Sequence, residues 1–257
     1  MFLKRIYDLA LPSLAGRSVK EVRIGLELLA VELDNGLIGV TYVLRKEISH
    51  GCAALPQAGG LIGQSAEQIA KWALEGRNVV MVAVGLAVLN AVAQFDALTQ
   101  LESPQGADAL FSVKIQPGDT VGIIGHIGPL IANLKGKVSR LLIFERGENT
   151  DIHVCPESDE PELLPECQVV FISSTTLINK TLENVLAYCS NARDIVMVGS
   201  STPLYPEAFR GSGVTVLSGT RWLSHNRENI LNGISQCAGM KQLIKHGQKM
   251  SVGIDRG

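Results

Sequence analysis

The chain predicts an α/β fold, in which a Rossmann-like parallel-sheet domain follows a smaller α+β domain. Three observations carry this prediction. Thr120 to Leu130 reads Thr-Val-Gly-Ile-Ile-Gly-His-Ile-Gly-Pro-Leu: an apolar strand run, a glycine loop, then a proline suited to the first turn of a helix. Beyond it, the apolar runs Leu141–Phe144, Val169–Ser173, Ile195–Val198 and Val214–Leu217 have the composition of strands buried on both faces of a parallel sheet. Ahead of it, Asp34-Asn35-Gly36 lies between two β-rich runs. That is a hairpin signal, because both central residues of a type I′ turn need positive φ.

In chain order, residues 1–16 read as a short amphipathic helix rather than a signal peptide, with Lys4, Arg5 and Asp8 in the first turns. Strands are expected from about Ser18 to Leu44. A glycine-rich, irregular stretch covers Glu47 to Gly63 and contains His50-Gly51-Cys52. Ser65 and Gln68 have capping-box spacing and open a helix that buries Ile69, Trp72 and Ala73 before Gly76 stops it. Val79 to Ala93 is almost wholly apolar but short of the roughly 20 residues a bilayer requires, so it reads as a buried helix continuing to about Leu98. Asn90, within it, has to find hydrogen-bond partners, either on the irregular Glu47–Gly63 loop or in a cleft. The Pro- and Gly-containing stretch Glu102 to Asp119 marks a boundary, dividing the chain into residues 1–105 and 106–257. In the second part, Leu182, Val185, Leu186 and Cys189 mark one helix face, and Ile230, Leu231, Ile234 and Cys237 another, which places both cysteines in the core. Pro156, Pro161 and Pro165 leave room for little more than a helical turn.

Bulk composition narrows the function classes. With 257 residues, 46% hydrophobic and 19% charged, the chain can bury a sizeable core. A net charge of −2 without a basic run argues against nucleic acid or anionic membrane as the main partner. Five widely spaced cysteines without a C-x-x-C fit a reducing cytoplasm better than a disulfide framework.

In open parallel sheets, ligands bind beyond the carboxyl ends of the strands. Those ends carry Gly125, His126 and Gly128; Glu145; Ser174, Thr175, Thr176 and Asn179; Gly199, Ser200, Ser201 and Thr202; and, after the last run, Ser218, Gly219 and Thr220. A dinucleotide fingerprint starting at Gly125 fails at Ile127 and Leu130, although Glu145, twenty residues on, stands where an acid would hold a ribose hydroxyl. His126 is either a metal ligand or acid–base group, or a loop histidine bonded to backbone. Glu145 is expected beside it, with both lining one cleft. The hydroxyls of Ser174–Thr176 either donate to an anion or cap the next helix. His50 and Cys52 form one His-x-Cys pair, and His153 and Cys155 another; imidazole and thiolate suit soft or borderline divalent metals, though each pair supplies only two ligands. The absence of a G-x-S-x-G elbow and of a base beside these hydroxyls argues against a serine hydrolase.

Several segments together resemble a prokaryotic family of unknown function labelled "putative heavy-metal chelation". They are Gly85–Ala91, Val121–His126, Leu164–Cys167, Asn179–Leu182 and Val198–Leu204. Within the last, Gly199-Ser200-Ser201-Thr202-Pro203 differs from the commoner Gly-Pro-x-x-Pro-like form. The resemblance implies an enolase-N-terminal-like domain packed on a Rossmann-like domain, with a site between them and metal or metal-chelate handling. The expected function is that of a cytoplasmic protein binding a small anionic ligand or heavy-metal chelate in that cleft. A divalent metal is the candidate cofactor, His126, His50 and Cys52 are its candidate ligands, and a homo-oligomer is admitted. The competing readings are an enzyme with a nucleotide-like cofactor (an adenosyl methyltransferase or a dehydrogenase) and a purely structural module.

Overall fold

The computed structural model describes residues 2–48, 54–98, 109–146 and 154–254. Helix α1 (Phe2–Leu14) is amphipathic, burying Phe2, Ile6, Tyr7, Ala10 and Leu14 along one side. Three antiparallel strands follow in the order β1 (Val19–Ile24), β2 (Leu28–Leu33) and β3 (Ile38–Tyr42). The hairpin lies at Asp34-Asn35-Gly36, but its turn is not type I′. Gly36 N–H donates to Leu33 O and Leu33 N–H to Leu37 O, both at 2.9 Å, and Gly36 alone in the turn has positive φ. This is a three-residue loop closed by a glycine bulge. Asn35 uses its side chain to accept from Leu37 N–H at 3.2 Å.

β2 is buried on both faces. Leu29, Val31 and Leu33 join one apolar cluster, while Leu28 and Ala30 join another with Trp222, Ile230 and Ile234. Glu32 points into this second face. Its full burial is tolerable because Lys20 Nζ (2.9 Å) and Arg227 Nε (2.7 Å) both pair with it.

Helix α2 (Ala66–Ala70) starts where the capping box places it, with Ser65 Oγ accepting from Gln68 N–H, but the expected single helix breaks at Lys71 and continues as α3 (Trp72–Glu75), which has no side-chain cap. Ile69 and Ala73 are buried; Trp72, expected with them, is only partly so. In α4 (Val79–Ala91) the side chain of Asn78 accepts from the N–H groups of Val80 and Met81, both at 3.0 Å. This helix does not continue to Leu98. Val92 N–H tightens onto Leu89 O, and α5 (Phe95–Leu98) is separate. β3 runs so close to α4 that a Cβ on Gly39 would lie 1.8 Å from Ala87 O, so only glycine fits there.

The second half contains β4 (Thr120–Ile124), α6 (Gly128–Leu134), β5 (Arg140–Glu145), β6 (Val154–Pro156), α7 (Glu160–Leu163), β7 (Val169–Ser173), α8 (Thr175–Ile178), α9 (Leu182–Tyr188), β8 (Asp194–Val198), α10 (Pro206–Phe209), β9 (Val216–Trp222), α11 (Arg227–Ser235), α12 (Met240–Leu243) and β10 (Gly247–Gly253). Its sheet runs β10-β9-β8-β7-β4-β5-β6, parallel except where β10 pairs antiparallel with β9. From β6 to β9 this is the doubly wound order, with the topological switch between β4 and β7.

Two strands escaped the sequence reading. β6 is three residues long at the sheet edge and ends in Pro156; β10 is glycine-bounded and largely polar. Pairing with β10 carries β9 through Gly219 and Thr220, so these residues lie inside a strand, not after it. Cys189 is buried as expected. Cys237 is exposed, because α11 stops at Ser235 and Cys237 takes the left-handed position that ends it (φ +60°).

The two halves are joined by more than the chain. One buried cluster includes Leu29 and Leu86 together with Met197 and Leu217. Tyr205 Oη donates to Leu89 O at 2.7 Å, near the end of α4. Among the described residues no helix is long and apolar enough to cross a membrane.

Candidate functional site

The chain leaves β4 through Gly125, whose N–H donates to Phe144 O of β5 at 2.7 Å. Its φ is +88°, and a Cβ there would meet Ser173 Cβ of β7 at 3.1 Å, so glycine is needed for both conformation and approach. His126 N–H then donates to Glu145 Oε2 at 2.7 Å. The two residues are neighbours, as expected, and the carboxylate clamps the loop backbone. No ion pair of the His126 ring is found among the described residues, and the residue is exposed.

At the end of β7, Ser173 Oγ and Thr175 Oγ1 share a hydrogen bond of 2.8 Å, and Thr176 Oγ1 donates to Ser173 O at 2.8 Å. The Ser174 side chain turns away from the helix that follows. It makes no side-chain cap, and it is buried, bonded to Thr202 Oγ1 at 2.6 Å; Thr202 in turn donates to Ser218 O at 2.9 Å. After β8, Ser201 Oγ accepts from Tyr42 N–H at 2.8 Å. Asn90 is buried, and its Nδ2 reaches Val40 O and Ser201 O, both at 3.4 Å. Its described partners are thus β3 and the Gly-Ser-Ser-Thr-Pro loop, not the Glu47–Gly63 segment. Asn90 Oδ1 and Ser200 Oγ are buried without a partner among the described residues.

Three adjoining cavities follow the carboxyl edge of the sheet. The central one, about 610 Å³, is lined by Gly125, His126, Gly128, Glu145, Thr175 and Gly199 from the sequence reading, joined by Tyr42, Ser173, Met240 and Lys241. A second, about 560 Å³, shares Tyr42, Gly199 and Lys241 with it and adds Ser200 and Gly219. A third, about 90 Å³, is lined by Thr176 and Asn179 and is rich in carboxylates. Ser174, Ser201, Thr202 and Asn90 line none of the three. They hold the loops from behind. Ser173 was within reach of the strand-end rule. Tyr42, Met240 and Lys241 come from β3 and α12, and nothing in their local sequence marks them.

The smallest cavity is electrostatically tense. Arg146 pairs with Glu47 (3.3 Å) and Glu157 (2.6 Å), and Asn179 Nδ2 donates to Glu47 Oε1 at 3.2 Å. Glu160, 6% exposed, is pushed up to about 7, first by burial and then by the charge of Glu157, against the pull of Arg146. Burial, and secondarily the charge of Glu27, also raise the Tyr42 phenol, which stays a neutral donor.

A cavity of about 550 Å³ elsewhere, lined in part by Pro12, Asn35 and Arg221, shows that size alone does not select a site. Arg221 there is already paired with Asp96 at 2.7 Å. The strand-end cavities differ in drawing loops from four parallel strands to one place.

Among the described residues no group of three or more His, Cys, Asp or Glu side chains is placed to hold a metal ion. His50 and Cys52, like His153, lie outside the described residues. Burial pushes the thiols of Cys167 and Cys189 up to about 12, so they stay protonated and are poor ligands.

Two family profiles described as "Putative heavy-metal chelation" match residues 7–93 and 108–253. An uncharacterized protein of Methanocaldococcus jannaschii is 30% identical over 149 residues, an alignment covering 56% of each protein. The chain thus spans little more than half the length of that relative. Two crystal structures of proteins of unknown function from the DUF364 family share the fold. One, from Pyrococcus horikoshii, has a TM-score of 0.80 at 23% identity and covers 99% of this chain and 100% of that one. The other, from Desulfitobacterium hafniense, has a TM-score of 0.75 at 24% identity and covers 98% and 100%. With the second profile matching more than half of its length, the chain belongs to the DUF364 family, whose description is "Putative heavy-metal chelation".

Proposed function

We propose that the carboxyl-edge cleft binds a small anionic ligand or a heavy-metal chelate, and that the metal arrives as cargo already wrapped in its small-molecule ligands. The observation that carries this reading is the convergence of Gly125–Gly128, Ser173, Thr175 and Gly199 on one cavity of about 610 Å³ at the topological switch point. Residues 1–105 and 106–257 act in this proposal as two domains. The first supplies Tyr42 to a cleft made mostly by the second.

The test is calorimetry with nickel salt, nickel citrate and free citrate, on the wild type and on His126→Ala. Binding of the chelate or citrate, weakened about tenfold in the variant, is expected if His126 contacts the ligand. Binding of nickel salt alone, with no response to citrate, would remove the reading.

The second reading, an enzyme with a nucleotide-like cofactor, is favoured by the doubly wound order and by Glu145 at the end of β5. Against it, Ile127 stands where close pyrophosphate approach asks for glycine, and the Glu145 carboxylate is engaged by His126 N–H. Adding NAD and S-adenosylmethionine to the same titrations separates the two.

A further inference from the structure

The cleft is chemically divided. Its central part presents polar groups from the strand ends beside Ile127 and Met240, and the neighbouring compartment of about 560 Å³ extends that apolar wall with Ala109, Leu130 and Ile244. Among the described residues, the charged side chains lining that compartment are Lys241 and Lys249, and no carboxylate lines it.

We infer that this compartment takes the planar aromatic or heteroaromatic body of an acid-bearing ligand, with the acid group set against Lys241. The inference rests on the cleft-binding reading above and names the chemical class that the cleft selects. Two features converge on it. An apolar wall gains from a flat apolar body that leaves water, and the compartment is in the size range of pockets for drug-sized molecules. A small hydrated anion or a compact aliphatic chelate would leave that wall wet. Lys241 on the rim repels cationic ligands and attracts acids.

The division also gives a chelate a natural orientation. A heteroaromatic dicarboxylate has an apolar face for the Met240–Ile244 side. Its metal-binding edge would then turn toward the polar groups at Gly125–Gly128 and Ser173. Citrate has the charge without the face, so comparing the two isolates the compartment from the rest of the cleft.

The experiment is calorimetry on the full chain with dipicolinate and with citrate, each free and as the nickel chelate. Variants Lys241→Gln and Met240→Glu follow, with circular dichroism as a check on folding. The expected result is that dipicolinate, free or chelated, binds at least about tenfold tighter than citrate, and that each variant erases most of that preference. Lys241 is exposed, so Lys241→Gln keeps the test decisive if Met240→Glu misfolds. Equal binding of the two probes, or a preference unchanged in Lys241→Gln, overturns this assignment while leaving cleft binding intact. Failure of both probes to bind overturns the assignment and the reading beneath it together.

Discussion

At the amino edge of the large sheet, Asp119 accepts from both terminal nitrogens of Arg193 (2.9 and 2.6 Å) and from Gln116 N–H (2.7 Å). Beside it, Gln168 accepts from Thr120 N–H at 2.8 Å and donates to Glu166 O at 2.9 Å. At the carboxyl edge of the same strands, Asn90 Oδ1 and Ser200 Oγ have no partner among the described residues, and Glu160 is buried facing the like charge of Glu157. Both edges are polar, but only one is self-satisfied. Parallel strands with helices on both sides bury their flanks and leave these two edges to differ. The amino edge spends its polar groups on holding the sheet together. The carboxyl edge leaves some unspent, at a cost in stability.

The largest expected effect is at the satisfied edge. Asp119→Ala should cost about 3 kcal/mol, near the low end for a broken buried pair, because a third of the Arg193 side chain remains in water. Urea unfolding measures this, and ligand affinity should barely move. The Arg193 guanidinium holds the Asp119 carboxyl below the usual carboxylate range. Its contribution is therefore full above the unfolded value of about 3.9 and fades as pH falls through the lower folded one. A stable Asp119→Ala protein that no longer binds ligand would break the comparison.

Glu160 should behave in the opposite sense. Its folded value, about 7, lies above the ordinary carboxylate value, so the folded state holds the extra proton between the two. Stability then falls as pH rises from about 4.5 to 7 and is flat beyond. Glu160→Gln should stabilise by roughly 2 kcal/mol at pH 8 and have little effect at pH 4. Thermal unfolding of the two proteins at both pH values checks this, and a variant less stable at pH 8 would show that the charge is locally welcome. Gly125→Ala comes next. A side chain at φ +88° costs about 1–2 kcal/mol, and the contact with Ser173 Cβ must shift the loop, so affinity should fall along with stability.

Much of the carboxyl edge could be read in advance because position, not residue type, defines it. A run such as Val121–Ile124 followed by glycine and histidine states where a strand stops, and Gly125, His126, Gly199 and Ser200 all proved to line the cavities. Whether a hydroxyl there faces a cavity or a carbonyl depends on neighbours far along the chain. Ser174 and Thr202, 28 residues apart, satisfy each other, whereas Ser200 does not pair at all. Tyr42 and Lys241 come to the cleft from elements without a strand-end signal. β10 was missed because an antiparallel edge strand with one polar face lacks the apolar run that marked the others. The same blindness put Gly219 after β9 when it lies inside it.

The smallest effect is the sharpest test of the comparison. Ser200 Oγ is buried and unpartnered, so deleting it removes a desolvated polar atom and breaks no hydrogen bond. Ser200→Ala should leave stability unchanged or raise it by up to about 1 kcal/mol, the opposite of what removing a working buried hydroxyl does. If the hydroxyl is held back for ligand, affinity for a bound acid such as dipicolinate should fall about three- to tenfold in the same variant. Chemical denaturation and calorimetry on one preparation give both numbers. A loss of more than about 1 kcal/mol in stability would mean that Ser200 is bonded in the empty protein, as an ordered water would achieve. The carboxyl edge would then be as satisfied as the amino edge, and the difference between them would lie in the shape of the loops rather than in unspent polarity.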